Sequence, residues 1–260
     1  MLPLFLAAGT LRITDSSRGG SSALRTAALE YSLSANGDIR IDRMSAQQAE
    51  MLIPQDTVDI AVFEIRELPE KFKNAPQLFL GAEVLLIYVN SSNPIAGVTS
   101  KEAAAIFSGQ RPRWSEYGGV PRAIHRFNLK NTSDHAGLDR DLFNTPAAAE
   151  VFGLDYSGNV VQMVSANQEA MGFAHFAELV NGVRILPVDG IHPTLENVFN
   201  GTYPLARRYV LATIKKSAQA EKFIDFLKKD IKTRVRKDMW LLPEEKIIRH
   251  PADHNSKKEK

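Results

Sequence analysis

Residues 11–29, LRITDSSRGGSSALRTAAL, change their hydrophobic period part-way along. Leu11–Thr14 is a strand-like run, whereas Leu24, Ala27, Ala28 and Tyr31 recur at the spacing of one helix face. The junction, Asp15-Ser16-Ser17-Arg18-Gly19-Gly20, combines hydroxyls, glycines and one cation. Ser16 and Ser17 are residues of the type that caps a helix start, and glycine lets a backbone come close to a bound group. A strand that turns at once into a helix is the first half of a βαβ unit.

The alternation continues outward. DIRIDRM (38–44) reads as a strand, SAQQAEMLI (45–53) as a short helix capped by Ser45, and VDIAVFEI (58–65) as a buried strand. That βαβαβ order predicts a parallel sheet. Beyond it, AEVLLIYVN (82–90) reads as one strong strand, TSKEAAAIFSG (99–109) as a helix N-capped by Thr99 or Ser100, and RAIHRFNL (122–129) as a strand. Helices are expected over Ser133–Phe143, in NVVQMVS (159–165) and in PTLENVFNG (193–201), the last closed by Gly201. YPLARRYVLATI (203–214) reads as a long strand, and SAQAEKFIDFLKKDI (217–231) as an amphipathic helix with Ala220, Phe223, Ile224 and Leu227 inward. The expected fold is α/β with two lobes, each a mixed, mainly parallel sheet flanked by helices. Residues 1–87 with 204–260 make the first, discontinuous lobe and 88–203 the second, with the strands at 83–90 and 204–214 crossing between them.

Composition narrows the function classes. The chain has 260 residues, 44% hydrophobic and 24% charged, in the range of globular domains. A net charge of +2, with no basic block interleaved with aromatics, argues against nucleic acid as a partner. Residues 215–260 hold 14 basic and 8 acidic residues, which read as a solvated helix face and a frayed terminus. Without cysteine there is no thiol catalysis, disulfide or thiolate metal site. No apolar run approaches the ~20 residues of a membrane span. Leu2–Ala8 has the character of a signal-peptide core, with Ala7-Ala8-Gly9 as a small-x-small cleavage site. Residues 1–9 therefore read either as a signal-peptide remnant, implying a periplasmic or other extracytoplasmic location, or as a buried leading segment.

Three stretches carry a family resemblance. NSSNPIAGVTSKEAAAIFSGQRPRWSEYGG (90–119), NVVQMVSANQEAMGFAHF (159–176) and VDGIHPTLENVFNGTYPLARRYVLATI (188–214) resemble, in order and spacing, the phosphate-binding substrate-capture proteins of ABC phosphate importers. These PstS-like proteins belong to the type II periplasmic-binding-protein superfamily, and the likeness runs over about residues 11–243. The resemblance implies a two-lobed fold holding inorganic phosphate or a related oxyanion in the interlobe cleft. It implies hinge closure on the anion, delivery to an ABC permease in the membrane, a monomer, no cofactor, no metal and no chemistry on the ligand.

An oxyanion is bound by backbone N–H groups at helix starts, by hydroxyls and by arginine. The resemblance places Ser16, Ser17 and Arg18 at such a site, although the family reads Gly-Ser-Ser-Thr there, so Asp15 and Arg18 depart from it. It also implies a ligand role for Ser45, which has ordinary N-capping as its alternative. Glu64 stands where the relatives carry an aspartate that accepts the proton of hydrogen phosphate; a carboxylate there favours a protonated oxyanion over sulfate. The alternative is a strand-end pair of Glu64 with Arg66. Arg126 and Ser133 match the site of the other lobe, where Ser133-Asp134-His135 replaces Ser-Gly-Thr.

Two other function classes remain. A hydrolase on this fold would need a catalytic constellation, but the six histidines are scattered and Gly-x-Ser-x-Gly and Walker patterns are missing. A binding or sensor domain with a diverged ligand and no transport role is the second.

Overall fold

The computed structural model describes residues 10–17, 21–35, 37–53, 57–130, 143–175 and 179–234. The leader reading of residues 1–9, Arg18, Ser133, the helix expected over Ser133–Phe143 apart from Phe143 itself, and the basic tail beyond 234 lie outside these residues. The described residues divide into two compact units, one taking those up to Ala82 and from Arg207 on, the other taking Glu83–Ala206.

The first unit is built on a five-stranded sheet in the order β2-β1-β3-β10-β4. Its strands are β1 (Leu11–Asp15), β2 (Ile39–Arg43), β3 (Ile60–Glu64), β4 (Gln77–Val84) and β10 (Ala206–Thr213). β1 pairs in parallel with both β2 and β3, while β10 runs antiparallel to β3. The period-2 alternation of β3 sends successive side chains to opposite faces. Ile60 and Val62 join Leu11, Ile13 and Leu211 under helix α1 (Ser21–Ala35) and the C-terminal helix Ala218–Arg234. Ala61 and Phe63 join Ala49 of helix α2 (Ala46–Leu52) and Phe72 on the other face. Ala220, Phe223 and Leu227 are buried, and Ile224 packs against the same cluster, so the C-terminal helix presents the face its spacing predicts.

The second unit carries a sheet in the order β7-β6-β8-β5-β9. Its strands are β5 (Leu86–Asn90), β6 (His125–Leu129), β7 (Phe152–Leu154), β8 (Ala170–Ala174) and β9 (Val183–Ile185). β6 is parallel to β7 and β8, and β5 is antiparallel to β8 and β9. Both sheets are thus mixed, as expected. Helix α3 (Ser100–Phe107) sets Phe107 edge-on against Phe173, with ring centroids 5.4 Å apart. The helix Ser157–Ala166 lies so close to β8 that a Cβ at Gly172 would fall 2.5 Å from Val160 Cγ1.

One expectation needs correcting. AEVLLIYVN is not one strand: the ladder breaks at Leu85, between β4 and β5. Leu85 N–H instead donates to Leu205 O at 2.9 Å, and the buried Tyr203 hydroxyl donates to Leu85 O at 3.0 Å. An apolar run shows no break because every residue from Ala82 to Asn90 is buried on either side of it.

Candidate functional site

The three parallel strands β1, β2 and β3 end at one edge of the first sheet, where the chain leaves each strand for a helix or turn. Asp15, the last residue of β1, is in register with Arg43 of β2 and Val62 of β3. Ser16 N–H and its hydroxyl both donate to Val62 O, at 3.1 and 2.6 Å. Met44 N–H donates to Asp15 O at 3.1 Å, bringing the residue before Ser45 against the same turn. Ser16, Ser17, Ser45 and Glu64 therefore converge on one sheet edge, as the parallel order requires.

Each side chain has a defined partner. Ser17 donates twice to Asp15 Oδ1, from N–H at 2.9 Å and from the hydroxyl at 2.5 Å. Ser45 is exposed and caps α2 through a capping box: Gln48 N–H donates to its hydroxyl and Gln48 Oε1 accepts from its N–H. Glu64 is buried and forms an ion pair with buried Arg207 of β10, with Oε2 and Nε 3.6 Å apart. The other unit holds Arg126 on β6, also buried. Its Nη1 donates to Ile106 O near the end of α3 at 3.2 Å, and Nη2 approaches Glu150 Oε2 at 3.4 Å.

Among the described residues, the buried side-chain atoms with no hydrogen-bond partner are Thr14 Oγ1, Asp15 Oδ2 and Arg126 Nε. Two of the three sit at positions the sequence pattern marks, or immediately beside one. Asp15 itself is 1% exposed. Burial pushes its carboxyl above the usual 3.8, against the opposing effect of the Ser17 hydrogen bonds and of the Arg43 and Arg25 charges. In the sequence Asp15 stands out only as a departure from the family. Its spacing to Ser17 was the available signal, since an aspartate commonly accepts from the backbone two residues on.

A family model described as a PBP superfamily domain matches residues 7–230. The chain belongs to that superfamily. The phosphate-binding protein PstS of Bacillus subtilis is 25% identical to it over 244 residues, which cover 91% of this chain and 81% of that protein. Two solved structures share the fold. PstS from Borrelia burgdorferi has a TM-score of 0.68 at 18% identity, covering 89% of this chain and 98% of that one. A possible phosphate binding protein from Planctomyces limnophilus has a TM-score of 0.71 at 18% identity, covering 92% and 94%. Two mixed sheets flanked by helices are thus the two-lobed fold of the superfamily, as read from the sequence.

Among the described residues of this PBP-superfamily chain, no group of three or more His, Asp or Glu could hold a metal ion. Nor is any helix among them long and apolar enough to cross a membrane.

Proposed function

We propose that the chain is an extracytoplasmic substrate-binding protein that captures an oxyanion, most readily phosphate, and passes it unchanged to an ABC permease. The observation that carries this reading is the extent of the likeness to the Bacillus subtilis phosphate-binding protein, over 91% of this chain. The convergence of Ser16, Ser17 and Ser45 at one strand-end edge supports it, because hydroxyls at the carboxyl ends of parallel strands are suited to an anion. Glu64 stands at that edge, and Arg18, Arg126 and Ser133 complete the candidate set. The protein acts as a monomer without a cofactor.

A ligand that binds only the folded chain stabilises it by mass action, by about 2.7 kcal/mol at a hundredfold excess over Kd. Thermal melts with phosphate, sulfate, arsenate, molybdate and tungstate test the reading: phosphate is expected to raise Tm at micromolar concentration. No rise with any of the five would overturn it. Arg18→Ala and Arg126→Ala are each expected to weaken anion binding at least tenfold, the scale of one charge-assisted hydrogen bond of ~1.5 to 3 kcal/mol. Unchanged affinity in both would put the site elsewhere.

A second reading, a binding or sensor domain with a diverged ligand, is favoured by one observation. The Glu64 carboxylate is in an internal ion pair with Arg207. A rise in Tm with an anion other than phosphate, and none with phosphate, would select it.

A further inference from the structure

β4 is the outermost strand of the first sheet, with β10 as its neighbour. Between its first residues and the C-terminal helix Ala218–Arg234 lies a solvent-open cavity of about 320 Å³. Leu78 of β4 and Ile224 of the helix form an apolar wall, both packed against the core beneath. Glu221, Asp225 and Lys228 line the cavity at the spacing of one helix face, and Lys216 joins them from the segment that leads into the helix. Two of these four charges answer each other, with Lys228 Nζ 3.5 Å from Asp225 Oδ1. The side chains of Lys216 and Glu221 have no hydrogen-bond or ion-pair partner among the described residues.

Two ammonium groups and two carboxylates sum to zero, and that balance decides the class of ligand. A bare anion held by Lys216 would share the cavity with Glu221 and Asp225, and a bare cation held by Glu221 would share it with Lys216 and Lys228. A molecule with one charge of each sign answers both free groups. Ligand cavities measure about 300–1,000 Å³, so this one stands at the small end and suits a single amino acid rather than a peptide or a nucleotide. Leu78 and Ile224 offer aliphatic surface for its side chain.

We propose that this cavity is a second ligand site, which takes a free amino acid with an aliphatic side chain. The ligand carboxylate meets the Lys216 ammonium, the ligand ammonium meets the Glu221 carboxylate, and the side chain lies on Leu78 and Ile224. This site is separate from the candidate anion site. Thr213, which also lines the cavity, is in register with Ile60 at the start of β3, whereas Glu64 ends that strand. The two sites therefore stand at opposite ends of the first sheet and share no residue, so the inference holds independently of oxyanion capture.

Calorimetric titration of the full chain with L-leucine, without phosphate and with phosphate in excess, tests this. Saturable binding of one leucine per chain, unaltered by phosphate, is expected. Leucinamide lacks the carboxylate and isocaproate lacks the ammonium, so each is expected to bind about tenfold more weakly or worse, the scale of one charge-assisted hydrogen bond. Lys216→Gln and Glu221→Gln are each expected to weaken leucine binding by a similar factor and to leave phosphate affinity unchanged. Absence of leucine binding, displacement of leucine by phosphate, leucinamide bound as tightly as leucine, or wild-type leucine affinity in both variants would each overturn the proposal. A chain that binds leucine in this way but not phosphate would overturn the capture reading alone.

Discussion

Arg207 Nε stands 3.6 Å from Glu64 Oε2 across adjacent antiparallel strands, with both side chains buried. Tyr209 is the register partner of Glu64, so Arg207 is the diagonal neighbour on the same face. Removing one member of a buried pair leaves the other charge in a low-dielectric interior, a loss of about 3 kcal/mol or more. Glu64→Leu is therefore expected to lower the urea midpoint sharply, and the double variant Glu64→Leu/Arg207→Met to recover most of it. A double variant as unstable as the single one would show that the pair is not the relevant interaction.

The Asp15 carboxyl carries a stability signature of its own. Its folded-state pKa is raised above 3.8 by burial, so the folded chain holds the proton more tightly than the unfolded chain. Its contribution to stability is therefore fully present below 3.8 and is lost as pH rises through the folded value. Asp15→Asn carries no such titration. In melts across the pH range, the variant is expected to exceed wild type in Tm near neutrality, with the gap closing as pH falls. A gap that stays constant with pH would contradict the burial of an ionisable Asp15.

Gly172 has no room for a side chain. A Cβ there would meet Val160 Cγ1 at 2.5 Å and Val164 Cγ2 at 2.9 Å, both on a buried face of the helix Ser157–Ala166. Overpacking of this kind typically costs about 1–3 kcal/mol. Gly172→Ala should lower the denaturant midpoint accordingly, and an unchanged midpoint would mean that the helix and β8 separate freely.

Ser45 and Thr99 serve equivalent capping boxes, with Gln48 and Glu102 at the third helical position. Each cap replaced by alanine is expected to lose ~1 kcal/mol in equilibrium unfolding. Only Ser45→Ala should also weaken anion binding, because Thr99 lies outside the candidate set. Equal affinities for the two variants would restrict Ser45 to its capping role.

Much of this fold is legible in the sequence, and the illegible parts have physical causes. β1, β2 and β3 announce themselves by apolar or alternating runs with polar junctions, and Ser45 and Thr99 by capping boxes. β4 begins at Gln77, five residues before the run that signals it, because its first residues are only partly buried and hydrophobic patterning is weak there. β7 is three residues long, too short for any period to emerge. At the site, the convergence of Ser16, Ser17, Ser45 and Glu64 follows from parallel strand order alone. The Glu64 to Arg207 pair does not, since only the β3 to β10 register brings residues so far apart in sequence together. The fixing of Asp15 by Ser17 was within reach of local sequence, whereas the unpartnered Oδ2 emerges only when neighbouring strands and α1 close over it.

The claim that underlies the rest is that this chain captures an oxyanion. Equilibrium dialysis of the purified protein against radiolabelled phosphate at neutral pH tests it most directly. Saturable binding of one phosphate per chain, displaced by unlabelled phosphate and far less well by sulfate, is the expected result. Label that distributes equally across the membrane at every concentration would contradict it.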